Sequence, residues 1–188
     1  EGTGSYKYTT SGTANYFYHY KDIVAPPGEA GPYVQARFYA RFSDATPLEL
    51  YPFFSMGATG TAYYQLRLLT DGTLAFWNNA ASTSYASTFI TADNTWYNIL
   101  VDLYDADSGG YVKVYINGIL WINQTGIDTS TAAGNDVSRI FAGMGLSING
   151  PTTDAVGDTW IDHVRVVGRN FALPNQYDFY TDNEAAAP

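Results

Sequence analysis

Between residues 33 and 42 the chain alternates strictly, and that alternation limits what it can fold into. Val34, Ala36, Phe38, Ala40 and Phe42 form one set, and Tyr33, Gln35, Arg37, Tyr39 and Arg41 form the other. Successive side chains of an extended strand point to opposite faces, so this segment presents an apolar face to a core and a polar face outward. The pattern returns at residues 63–69, where Tyr64, Leu66 and Leu68 oppose Tyr63, Gln65 and Arg67. It returns again with Tyr97, Ile99, Val101 and Leu103 inward, and with Val112, Val114 and Ile116 inward. Asp71-Gly72 and Asn117-Gly118 follow such strands directly, and these are the dipeptides that tolerate the positive φ of a tight hairpin. Residues 16–20, 73–77, 119–122, 139–148 and 160–167 extend the series to about a dozen strands, and no stretch carries the 3.6-residue period of an amphipathic helix. The expected fold is all-β: a two-sheet antiparallel jelly-roll sandwich, formed as one domain over residues 1–182. Residues 183–188 read as a frayed tail or linker.

Charge and composition narrow the function. With 18 Asp+Glu against 9 Lys+Arg the net charge is -9. Such a surface repels phosphate backbones, so no nucleic-acid partner is expected. No apolar run approaches the ~20 residues that a membrane-spanning helix needs, so no membrane insertion is expected. Cys is absent, which excludes thiol catalysis and Cys-ligated zinc. Glu occurs only at Glu1, Glu29, Glu49 and Glu184, each far from the others. Retaining glycoside hydrolysis needs a carboxyl pair about 5 Å apart, and these Glu cannot supply it. Glu49 reads as an outward strand residue, and His19 and His163 read as structural or surface groups. No nucleophile elbow, zinc-protease helix, Walker loop or dinucleotide fingerprint is present. The sequence alone therefore points away from an enzyme. Abundant Thr, Ser, Tyr and Asn with little Lys suit an extracellular setting.

Three stretches carry a family resemblance. Residues 96–103 (WYNILVDL) and 110–118 (GYVKVYING) resemble the central hairpin of concanavalin-like, laminin-G-like domains, in which a Trp-led strand precedes one reading VxVYVDG. Residues 160–166 (WIDHVRV) resemble the terminal YIDDVRVY strand of the same superfamily. The resemblance implies a lectin-type jelly roll shared by glycan-binding modules, family-16 glucanases and several polysaccharide lyases. The glucanase motif ExDxxE and the lyase signatures RxELR and QIH are absent here. The resemblance also implies a structural Ca2+ ligated by Asp162, helped by backbone carbonyls near the N-terminus and tying both termini to the sandwich. The loop containing Asp105 and Asp107 has the spacing of half a calcium loop, but it lacks a distal carboxylate and reads as an ordinary turn.

The outward rows carry the binding argument. If the rows share one sheet, Tyr39, Tyr63, Tyr111 and Tyr115 stud it beside Arg37, Arg67 and Lys113, with Trp77 nearer a strand end. Flat rings stack on sugar C–H faces while Arg hydrogen-bonds hydroxyls. The alternative is that Tyr fills strand surfaces by cross-strand pairing. These residues make a glycan-binding module the leading expectation, with a polysaccharide or cell-surface glycan as partner. The second expectation is a structural or adhesive subunit of a virion or extracellular filament, self-associating through aromatic or calcium-mediated contacts.

Overall fold

The computed structural model describes residues 5–10, 17–22, 33–47, 51–58, 61–79, 81–130, 137–144, 157–168 and 177–178, and every regular element among them is a strand. In chain order these are β1 (Tyr6–Thr10), β2 (Phe17–Asp22), β3 (Tyr33–Phe42), β4 (Tyr51–Ala58), β5 (Thr61–Leu68), β6 (Thr73–Asn78) and β7 (Thr83–Ile90). There follow β8 (Trp96–Tyr104), β9 (Gly110–Ile116), β10 (Ile119–Ile127), β11 (Arg139–Met144), β12 (Gly157–Gly168) and the short β13 (Tyr177–Asp178). Sheet A runs β1-β12-β3-β8-β9-β10, with β13 beside β12, and sheet B runs β2-β11-β4-β5-β6-β7. Strands β1 to β4 alternate between the sheets, β4–β7 and β8–β10 are meanders, and β11 and β12 return to B and A. This is the expected antiparallel jelly-roll sandwich.

Alternation builds the core as the sequence requires. Along β3 the even residues are buried and the odd ones are not. Phe38 stacks on Phe54 of the opposite sheet at 4.2 Å, and Phe42 meets Phe53 edge-on at 5.0 Å. Tyr64 is fully buried beside Phe76, and its hydroxyl donates to the Thr129 carbonyl. The β9–β10 turn places Asn117 and Gly118 at φ 51° and 82°, as a two-residue hairpin demands. The Asn117 side chain then accepts a bond from the Asn98 backbone N–H at 2.9 Å, tying the turn to β8.

Aromatic contacts close both open sides of the sandwich. At one side a register shift in β10 accommodates Trp121, whose ring meets Phe89 of β7 at 5.1 Å. At the other, Tyr6 and Tyr8 of β1 pack on His19 of β2, and Tyr8 Oη lies 3.0 Å from His19 Nδ1. His19 is thus a structural bridge between the sheets, as the sequence suggested. Glu49 and the 183–188 tail lie outside the described residues. Among the described residues no helix is long and apolar enough to cross a membrane.

Candidate ligand-binding faces

The eight residues read as ligand-binding do not share a sheet. Arg37 and Tyr39 on β3 and Tyr111, Lys113 and Tyr115 on β9 belong to sheet A. Tyr63 and Arg67 on β5 and Trp77 on β6 belong to sheet B. The single studded surface is corrected to two outward faces on opposite sides of the core. The physical reason is the crossover from β7 to β8, which carries the chain from one sheet to the other and which strand periodicity alone cannot reveal.

On sheet B one cross-strand row runs Tyr20, Phe141, Ser55, Gln65, Trp77 and Ser84. Arg67 stands opposite Ala75 in the next row. That small neighbour leaves room for the guanidinium to lie along the sheet, 4.4 Å from the centre of the Trp77 ring. Its Nε and Nη2 both donate to Gln65 Oε1, at 3.0 and 2.7 Å. Arg67 is only 6% exposed, and no described carboxylate pairs with it. Burial pushes its pKa down to about 10. Beside it, Trp77 Nε1 and Ser55 Oγ are buried without a hydrogen-bond partner among the described residues. A buried donor that lacks an acceptor costs roughly 1–3 kcal/mol, so two such groups beside a guanidinium with no described carboxylate partner describe a site shaped for an acceptor-rich ligand.

Tyr63 behaves differently from its expected role. It is 8% exposed, belongs to the core cluster, and its pKa is raised by burial and by Asp105. It supports the face from its edge. Ser55 was not read as a site residue. It is the lone Ser in a largely apolar run (YPFFSMGA), and the register shift between Pro52 and Phe54 hides its outward parity.

On the outer face of sheet A the side chains are open to solvent. Arg37 and Tyr39 are exposed, while Tyr111, Lys113 and Tyr115 are half-buried. Tyr111 stacks across strands on Tyr104 at 5.7 Å, and Lys113 of the same strand places Nζ 5.0 Å from the Tyr111 ring. Two shallow depressions of about 230 Å³ each share Arg37 as a wall. One is completed by Tyr39, His163 and Arg165, the other by Asn98, Leu100, Tyr115 and Gly118.

Asp162 lies across from Tyr39, on the strand that pairs with the first described strand. Its Oδ1 accepts the His163 backbone N–H at 2.7 Å and contacts His163 Nδ1 at 3.0 Å. Oδ2 takes no part in these two contacts. Among the described residues no three His, Cys, Asp or Glu side chains gather as a metal site. The N-terminal carbonyls that the resemblance adds include residues outside the described ones. In the loop with Asp105 and Asp107, Ala106 is bonded through both backbone groups to Thr129.

No family model matches the chain, and no curated protein matches it. Solved structures do share its fold. An endo-β-1,4-glucuronan lyase from the fungus Trichoderma reesei aligns with a TM-score of 0.61 and 13% identity, over 88% of this chain and 82% of that one. An alginate lyase in complex with alginate trisaccharide aligns at 0.54 and 14% identity, over 80% of this chain and 74% of that one. A sialidase aligns at 0.57 and 14% identity, over 81% of this chain but only 14% of the sialidase. The similarity shows the fold alone, a jelly-roll sandwich. It also corrects the expectation that the chain is no enzyme. Two lyases carry this architecture over most of both chains, so missing glucanase and lyase motifs are no ground for excluding catalysis.

Proposed function

We propose that the outer face of sheet B binds an acidic polysaccharide, with Arg67 receiving a sugar carboxylate and Trp77 Nε1 and Ser55 Oγ donating to neighbouring oxygens. The observation that carries this is the set of buried donors without acceptors around an uncompensated guanidinium. A uronate offers what is missing: one carboxylate for bidentate pairing with Arg and a ring of hydroxyl oxygens beside it. The partly exposed Trp77 adds an apolar edge for a sugar face. That the similar structures include a glucuronan lyase, an alginate lyase and a sialidase agrees with an acidic sugar. Binding is the first step for a module that holds its glycan and for an enzyme that cleaves it. The setting is extracellular, where such polymers lie, and a Ca2+ at Asp162 Oδ2 steadies the terminal strands.

Titration of the intact chain with oligoglucuronate and oligoalginate tests the proposal. We expect binding that weakens at least tenfold in Arg67→Gln, since a charge-assisted bond contributes about 1.5–3 kcal/mol. Neutral dextran should not bind. Equal affinity in wild type and Arg67→Gln would refute the assignment. Release of unsaturated uronate ends during the titration would make the same face an active site.

Self-association is a second reading with its own observation. Trp96, Ile119 and Leu120 are exposed by 39, 60 and 39%, near the Asn117-Gly118 turn. Sedimentation at rising concentration would detect it, and a monomer throughout would exclude it.

A further inference from the structure

We propose a second saccharide-carboxylate site on the outer face of sheet A, centred on Arg37, so that one chain bridges two acidic polysaccharide strands. The proposal rests on the acidic-glycan reading of sheet B and extends it to the opposite side of the sandwich.

The charge distribution is the first observation. The protein carries twice as many acids as bases, yet five of its nine Lys and Arg point outward from sheet A: Lys7, Arg37, Arg41, Lys113 and Arg165. The acids described in the outward rows of that sheet are Asp102, Asp158, Asp162 and Asp178, the last standing opposite Arg165 on β13. Asp158 is bound by Lys7 at 2.8 Å, and Asp102 stands opposite Lys113. Asp162 and Asp102 both stand diagonal to Arg37, opposite Tyr39 and Gln35, and one oxygen of Asp162 is committed to His163. Arg37 itself donates from Nε to the Asn98 side chain at 3.1 Å, and no described carboxylate forms an ion pair with it. Its cross-strand neighbour is another cation, Arg165.

The backbone supplies the second observation. Between Asp162 and Arg165 two residues of β12 oppose one residue of β3, a bulge. His163 occupies it at φ 51°, a left-handed conformation that disfavours side chains other than Gly. The outcome is that His163 stands on the outer face, edge-on to Tyr39 at 6.1 Å, and lines the depression with Arg37 and Arg165. Without the bulge, parity would alternate and His163 would point into the core. The strained residue therefore adds a donor and a ring edge to a cationic recess. The second depression, past Arg37, offers Asn98 and the Tyr115 ring, which suit the hydroxyls and apolar face of an adjoining sugar. Recess, uncompensated Arg, adjacent cation and aromatic flank together describe a carboxylate-bearing saccharide. The two sheets pack about 10 Å apart and their outer faces point in opposite directions, so a single rigid glycan strand does not serve both.

Two measurements on the intact chain test this. Calorimetric titration with a short oligoglucuronate should give two equivalents for wild type and one for Arg37→Gln. It should also give one for Arg67→Gln and none for the double variant. Light scattering with long polyglucuronate should rise for wild type through cross-linking and stay flat for either single variant, with neutral dextran flat throughout. Arg37 is exposed, so its variant should melt with wild type, and Arg37→Lys should keep part of the second equivalent. If Arg37→Gln still binds two equivalents and still cross-links, the second site is wrong. One wild-type equivalent, lost in Arg67→Gln and kept in Arg37→Gln, overturns this proposal and leaves the sheet B reading intact. The reverse pattern keeps the Arg37 site and overturns the sheet B reading.

Discussion

Replacing Arg67 by Met should barely change the stability of the unliganded protein, and that is a sharp test of what Arg67 is for. Burial pushes its pKa well below the ordinary guanidinium range to about 10, so holding the charged form costs ~3 kcal/mol. The two bonds to Gln65 Oε1 return roughly 1–2 kcal/mol and the Trp77 ring another ~1 kcal/mol, so the wild-type side chain sits near break-even. Met removes the buried charge and fills the space over Ala75, gaining roughly 1–2 kcal/mol of apolar burial. It also takes both Arg67 donors from Gln65, at a cost of similar size. The expected change is within ~1 kcal/mol, a Tm shift of at most ~4 °C for a chain of this size. Arg67→Met with Gln65→Leu should be more stable than wild type by about 1–2 kcal/mol. Urea unfolding with an unchanged m-value is the assay. Were Arg67 half of a structural ion pair, its loss would cost ~3–5 kcal/mol. A destabilisation of ~3 kcal/mol or more by Arg67→Met would therefore refute the view that this guanidinium awaits a ligand.

Other outcomes follow from particular contacts. A Cβ on Gly110 would lie 2.1 Å from Thr129 Oγ1 and 2.9 Å from the Ile127 carbonyl, so Gly110→Ala should cost at least ~2 kcal/mol in urea unfolding. Burial and then nearby Asp105 raise the Tyr64 pKa far above its ordinary 10, while an unfolded Tyr64 releases its proton near pH 10. Stability from this group is therefore complete below pH 10 and declines by ~1.4 kcal/mol per pH unit above it. Tyr64→Phe should flatten that alkaline decline by this amount, read from urea midpoints between pH 9 and 11. If Ca2+ binds at Asp162, chelator should lower Tm by ~5–10 °C from its value at a hundredfold excess of calcium over the Kd, and Asp162→Ala should abolish the difference. An unmoved midpoint in chelator would dispose of the ion.

Much of this architecture was legible in the residues. β3, β8 and β9 alternate cleanly because one face is buried and the other is not, and Asn117-Gly118 marks its turn by the positive φ both residues adopt. β4 and β7 were not delineated. β4 is apolar nearly throughout and is broken by register shifts, while β7 is an edge strand of Thr and Ser with little contrast. The residue types of the site were legible, since Arg67, Trp77, Arg37 and Tyr39 stand in outward rows. Their division between two faces was not, because sheet membership is set by crossovers and contacts distant in sequence. Nor does parity predict His163, which a bulge turns outward, or Ser55, whose strand slips by one residue.

The central claim is that the buried donors of sheet B await the oxygens of an acidic glycan, and the indole proton of Trp77 reports on it most directly. Its Nε1 has no acceptor among the described residues, so its resonance should lie upfield of a hydrogen-bonded indole. In a proton–nitrogen correlation spectrum the four Trp side chains give four such signals, and Trp77→Phe identifies the relevant one. Adding oligoglucuronate should move that signal downfield as a carboxylate or hydroxyl oxygen accepts the proton, and should do so equally in Arg37→Gln, whatever happens at Trp96 and Trp160 on the opposite sheet. Saturating glycan that leaves the Trp77 signal in place, while moving those of Trp96 or Trp160, would contradict the account.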